Sequence, residues 1–218
     1  MSDKASWDKV KDMYTETGFK LGPYFEEQIK TGHVIFTLAR YKFATRLLEK
    51  NPKLDVLELG CSEGVGTLQL ARVANSVLGI DFEKTWIDWA KKNLETENLK
   101  FIQDDFINKE YGKFDAVVSI DVIEHISKEK EDEFLSTICN NLKDNGFCIV
   151  GTPNITASPY ASPKSQIGHI NLYDAKRLEE LLSKKFHNVF VFGMNDEVVH
   201  TGFKPMCHYL MALACNKK

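Results

Sequence analysis

Leu54-Asp-Val-Leu-Glu-Leu-Gly-Cys-Ser-Glu-Gly-Val-Gly66 decides the fold of this chain. Val56, Leu57 and Leu59 form an apolar run short enough to be a buried strand. Gly60, Gly64 and Gly66 free the backbone where a strand must turn tightly into a helix. The spacing predicts that helix over residues 67–74. A second apolar run, Val77-Leu-Gly-Ile80, ends in Asp81 about twenty residues after the turn, the layout of a mononucleotide-binding βαβ unit. In such a unit a ligand sits at the helix N-terminus and the acid takes ribose hydroxyls. The competing reading is an ordinary strand-to-helix turn with no ligand.

The same alternation of strand and helix continues outward. Apolar runs predict strands over residues 99–103, 114–120 and 147–151, then 189–192 and 209–214. Helices are expected over 31–49, 85–94 and 175–184, the last capped by Asp174. Another runs through Phe134, Leu135, Ile138 and Leu142 and is closed by Asn145-Gly146. Trp86, Trp89 and Ala90 read as one core stripe. Gly18, Gly22 and Pro23 break the first fifty residues into short helices. No long helix fits between 152 and 173, and an extended connection in a compact domain is usually functional. The pattern predicts a doubly wound α/β sheet with helices on both faces.

Composition narrows the function classes. The chain has 218 residues, 43% hydrophobic and 27% charged, as an ordinary globular domain has. That length suits one substantial core. The net charge of −3 gives no global case for nucleic-acid binding. No run approaches a membrane span, and the first residues lack the apolar core of a signal peptide. Cys61, Cys139, Cys148, Cys207 and Cys215 show no C-x-x-C spacing. They read as reduced thiols of a cytoplasmic protein.

The glycine order distinguishes the ligand. Glu58-x-Gly60-x-x-x-Gly64-x-Gly66 is not the G-x-G-x-x-G of dinucleotide binders. It resembles the first motif of class I S-adenosylmethionine-dependent methyltransferases. That resemblance spans roughly residues 33–215 and implies a mostly parallel seven-stranded sheet, the last strand antiparallel. It implies a methyltransferase domain over 51–218, with residues 1–50 as a helical lid. It also implies cofactor contacts from Glu58, Gly60, Ser62, Gly64 and Asp81. Phe82 would stack on adenine, and Asp105, with Asp104 as fallback, would accept from the adenine amino group. Phe106 and Ile120 would complete the pocket. His33 with Arg40-Tyr41 resembles a His…Arg-Tyr pattern of small bacterial members. In that pattern Arg40 would pair with the cofactor carboxylate, work that suits a planar charged fork. A solvated helix arginine is the alternative.

Asp121-x-x-Glu124-His125 lies at the carboxyl end of the fourth strand, where open α/β sheets bind ligands. One helical turn would point the three side chains the same way. His125 can act as a general base on an acceptor hydroxyl. The cluster can instead bind a divalent cation, or merely cap a helix. The triplet is similar to the acid-x-x-Glu-His pattern of ubiquinone-pathway O-methyltransferases and of metal-dependent RNA 2′-O-methyltransferases. The resemblance implies Mg²⁺ or Mn²⁺ on Asp121, Glu124 and His125, with His169 as fourth ligand. His169, Tyr173, Asn195, Asp196, Glu197 and His200 are expected to face the acceptor. The expected function is methyl transfer to a small molecule, on oxygen: a secondary metabolite, a quinone-like compound or a sugar precursor. An RNA-modifying enzyme and a non-catalytic binding subunit are the other classes.

Overall fold

The computed structural model describes residues 21–51 and 53–218; the expected break at Gly18 lies outside them. Eight strands form one sheet. They are β1 (Asp55–Leu59), β2 (Ser76–Asp81), β3 (Leu99–Gln103), β4 (Phe114–Ile120), β5 (Leu142–Pro153), β6 (Phe186–Asn195), β7 (Val198–His200) and β8 (Tyr209–Lys217). Their order is β3-β2-β1-β4-β5-β8-β6-β7. The first five pair in parallel, and β8 runs antiparallel between β5 and β6.

The sheet has eight strands where seven were expected. The extra one, β7, is a three-residue strand folded back on Gly193–Asn195 of β6. It is too short, and too interrupted by Asn-Asp-Glu, to carry an alternation signal.

Parallel strands covered on both faces must be apolar on both faces. Val56 of β1 joins one core cluster and Leu57 the other. The first face is covered by α2 (Val34–Leu48), α3 (Val65–Ala71) and α4 (Lys84–Leu94). The second is covered by α5 (Glu131–Asn141) and α7 (Ala175–Ser183). The remaining helices are α1 (Pro23–Thr31) and the short α6 (Pro163–Gly168).

Several boundaries differ from the sequence reading. The helix expected over 31–49 is α2 and starts only at Val34, because Gly32 adopts a left-handed conformation that ends the separate α1 at Thr31. The helix after the glycine turn starts at Val65 and ends at Ala71. Leu142 belongs to β5 rather than to the preceding helix, and pairs with Phe114 across a register shift. The segment between β5 and α7 holds a 3-10 stretch, Ile155–Tyr160, and α6, but no long helix. Of the expected stripe on α4, Ala90 is fully buried, while Trp86 and Trp89 are only half-buried.

Close packing beneath the turn explains two residues of the motif. Gly66 lies in the first turn of α3, and a Cβ there would overlap the Tyr41 ring. Tyr41 in turn donates its hydroxyl to Glu58 Oε1 at 2.7 Å. Glu58 is fully buried, and that burial pushes its carboxyl up to about 7.

Two outcomes are expected. Gly66→Ala should destabilise by roughly 1–3 kcal/mol in chemical denaturation, because overpacking against Tyr41 outweighs the gain of about 1 kcal/mol that alanine normally gives in a helix. Between about pH 4.5 and 7 folded Glu58 keeps a proton that the unfolded chain has released, so stability falls as pH rises through that window. Glu58→Gln should still accept from Tyr41. It should flatten that fall and be more stable than wild type near pH 8, by on the order of 2–3 kcal/mol.

Candidate active site

The carboxyl ends of β1, β2 and β4 meet at the glycine turn. Gly60 and Gly64 have φ of +79° and +77°. A side chain at Gly60 would overlap Val122, and one at Gly64 would meet Phe101. The turn leaves an open backbone at the N-terminus of α3. Ser62 is itself left-handed, and its N–H donates to Asp81 Oδ2 at 2.8 Å. Asp81 Oδ1 accepts from Glu83 N at 2.9 Å. Asp81 is buried, which raises its pKa, while these backbone donors pull it back. The acid and the turn are thus fixed to each other before any ligand arrives.

The other expected cofactor residues divide clearly. Phe82 is 66% exposed beside Asp81, so its ring is free to cover a base. Asp104 is engaged by Lys109 and the Tyr111 hydroxyl. Asp105 is exposed and makes one long contact, 3.3 Å from Ile107 N. Phe106 is a core residue packed near Phe134. Ile120 ends β4, buried. Glu58 points under the turn toward Tyr41 and is a support of the turn.

Arg40 is not solvated. Its side chain is buried, pairs with Asp121 Oδ2 at 2.5 Å and lies 3.9 Å over the Tyr209 ring. Burial works against its charge, but Asp121 more than compensates and keeps the guanidinium ionised. Among the described residues its Nε has no hydrogen-bond partner, nor have the buried Ser62 Oγ, Tyr209 hydroxyl and Glu124 Oε1. Buried polar atoms without partners are costly. Such atoms in the glycine turn and near Asp121 are available to a polar ligand.

The Asp121–His125 segment departs from the expected helical turn. Asp121 has φ +59°, and only Ile123–His125 form a 3-10 turn. Asp121 pairs with Arg40 and is not one of the three side chains whose ligand atoms converge. Glu124, His125 and His169 do come together, their ligand atoms all within 4.8 Å of one another. Glu124 is fully buried, and its Oε2 accepts from Thr152 Oγ1 at 3.0 Å. Burial first, then Asp121, raises its carboxyl to about 8. His125 Nδ1 lies 2.8 Å from the Gly168 carbonyl oxygen. A carbonyl only accepts, so Nδ1 carries a proton and Nε2 is the nitrogen left to bind a ligand. The His169 ring is edge-on to His125 at 5.1 Å, and burial with His125 lowers its pKa. A carboxylate and two imidazoles, with Glu124 and His125 each held by an outer hydrogen bond, are a donor set that fits a transition-metal dication better than Mg²⁺.

Tyr173 does not face this cleft. It is fully buried, and its hydroxyl donates to Glu131. Asn195 and His200 bond to each other, and Asp196 N donates to His208 Nε2 at 3.0 Å, so that loop is bound largely to itself and to its neighbour. Tyr24 and Gln28 of α1 were not anticipated. The hydroxyl of Tyr24 lies in the field of Asp121, Arg40 and Glu124. The side chain of Glu63, inside the glycine turn, reaches α1.

Comparison with known proteins agrees with this geometry. A family model described as a methyltransferase domain matches residues 50–195. The ubiquinone biosynthesis O-methyltransferase of Rickettsia akari is 31% identical over 112 residues, which are 50% of this chain and 44% of that protein. A probable S-adenosylmethionine-dependent methyltransferase of Mycolicibacterium smegmatis is 30% identical over 138 residues, 63% of this chain and 53% of that protein. The chain spans about half the length of these curated relatives. The N-methyltransferase NodS of Bradyrhizobium japonicum, solved with S-adenosyl-L-homocysteine, superposes with a TM-score of 0.64 at 17% identity, over 83% of this chain and 87% of that one. This last likeness concerns the fold alone. The glycine turn, the strand order and the family match together establish that the chain belongs to the methyltransferase domain family.

Proposed function

We propose that the chain transfers the methyl group of S-adenosylmethionine to a hydroxyl of a small molecule, and that Glu124, His125 and His169 hold a divalent cation beside that hydroxyl. The convergence of those three side chains carries the reading. In it the Gly60–Gly64 turn receives the methionine part, Asp81 the ribose hydroxyls, Phe82 the adenine face and Asp105 its amino group. Arg40 offers its unpartnered Nε to the cofactor carboxylate while Nη1 stays on Asp121. Residues 1–50 are read as a lid and 51–218 as the transfer domain.

The reaction forms a carbon–oxygen bond as the sulfonium carbon–sulfur bond breaks, and the electron pair stays on sulfur. The protein aligns the two centres and excludes water. The hydroxyl proton must also leave. A bound dication would lower the hydroxyl's pKa. Where no cation occupies the cluster, His125 Nε2 is the chain's own proton acceptor beside it. Phenolic, quinone-like and sugar hydroxyls all fit this chemistry. The O-methyltransferase name of the Rickettsia relative supports oxygen over nitrogen. Five free thiols suit a reducing, cytoplasmic setting. Among the described residues no helix is long and apolar enough to cross a membrane.

His169 joining the cluster also suits a metal-dependent RNA 2′-hydroxyl enzyme, and the net charge of −3 disfavours it. The test is transfer of labelled methyl to phenols, sugars, amines and short RNA, with and without EDTA. The expected result is transfer to a small hydroxyl acceptor, abolished by EDTA and restored by Mn²⁺ better than by Mg²⁺. His125→Ala and His169→Ala should each lower turnover by about two decades or more. If His125 is instead a metal-free base, activity survives EDTA and His169→Ala is mild. Full activity of His125→Ala in EDTA contradicts both. Transfer to RNA alone replaces the small-molecule assignment.

A further inference from the structure

Glu63 stands in the middle of the glycine turn, yet its carboxylate is spent on another element. It is only 2% exposed. Oε1 accepts the N–H of Tyr24 at 3.0 Å, and Oε2 accepts the N–H of Phe25 at 3.1 Å. These are amides of the first turn of α1. A helix leaves such amides without internal partners, and Pro23 has no N–H to offer. The N-cap residue, Gly22, has no side chain that could serve them. Glu63 therefore caps α1 from outside, and its negative charge meets the positive end of the helix.

Gly22 is explained by the same contact. Its φ of −74° and ψ of 161° suit any residue. Its Cβ position, however, is filled by the Glu63 carboxylate. Glycine is needed there for space alone.

α1 also lies beside Asp121 and Glu124. Tyr24 packs on Trp86, with ring centroids 5.4 Å apart. Gln28 is buried, and among the described residues its Oε1 has no hydrogen-bond partner. Glu27 pairs with Lys164 of α6 at 2.5 Å, in the segment that leads to His169. One short helix thus spans from the glycine turn to the loop carrying His169.

We propose that Glu63 is a positioning residue that docks α1 onto the glycine turn, so that filling the cofactor site orders the wall of the acceptor site formed by Tyr24 and Gln28. The functional consequence rests on the cofactor reading of the turn; the docking contact itself does not.

Hydrogen exchange of residues 23–31 tests it, in wild type, Glu63→Ala, Gly22→Ala and the double variant, with and without S-adenosylhomocysteine. Glu63→Ala should speed exchange in α1 by about tenfold or more while β1 and β4 stay protected. Glu63→Gln keeps the shape and one accepting oxygen and should be intermediate. Gly22→Ala should reproduce the Glu63→Ala effect, because its methyl displaces the carboxylate. In the Glu63→Ala background Gly22→Ala should add nothing, since the two act through one contact. S-adenosylhomocysteine should further slow exchange of α1 in wild type and barely do so in Glu63→Ala. Unchanged α1 exchange in Glu63→Ala, or additive effects of the two substitutions, would overturn the docking contact. The expected variant pattern with a ligand response equal in wild type and Glu63→Ala would overturn the coupling. The expected variant pattern with no ligand binding to any protein would overturn the cofactor reading and the coupling with it.

Discussion

Everything in this molecule is arranged around a strand that is buried on both faces and must end without a side chain in the way. β1 leaves the sheet into a turn where Gly60 and Gly64 hold positive φ and the space for their side chains is already taken by Val122 and Phe101. Only glycine satisfies both demands at once. The backbone so exposed is pinned by Asp81, whose carboxylate accepts the Ser62 amide. Tyr41 fills the space that Gly66 leaves and holds Glu58 beneath. The turn is thus supported from below by a buried acid and from the side by another.

The second constraint is charge in a closed space. Buried Arg40 and Glu124 lie beside the partly exposed Asp121, with Tyr209 under the guanidinium. One cation and two acids cannot all be comfortable there. Asp121 keeps the Arg40 guanidinium ionised, and Glu124 holds its proton to about pH 8. An acid in that condition is poised to give up the proton when a cation or a polar ligand arrives.

Sequence patterning revealed the parts whose physics is local. The apolar runs of β1 to β4 and the glycine spacing needed no tertiary knowledge, and Asp174 capped its helix as expected. What stayed hidden depends on contacts between distant residues. Asp121 in a left-handed conformation cannot be read from its type, because the pull of Arg40, 81 positions away, has no local signature. Glu63 carries little local signal, because its two partners lie 39 and 38 residues away. A glutamate between two glycines of a tight turn, with Gly-Pro upstream, was the available hint. β7 escaped because three residues carry no periodicity. Tyr173 was placed in the pocket from its loop position, whereas its hydroxyl belongs to a buried network with Glu131 and Asn171.

Titration calorimetry of the whole chain with S-adenosylhomocysteine, alongside NADH, tests the central claim most directly. The account requires binding of the homocysteine nucleoside at micromolar Kd or tighter, about −8 kcal/mol, with no comparable binding of NADH. It also requires that Asp81→Ala weaken that binding by about 1.5–3 kcal/mol, the loss of hydrogen bonds to a charged group. Binding of NADH with no response to S-adenosylhomocysteine would contradict it.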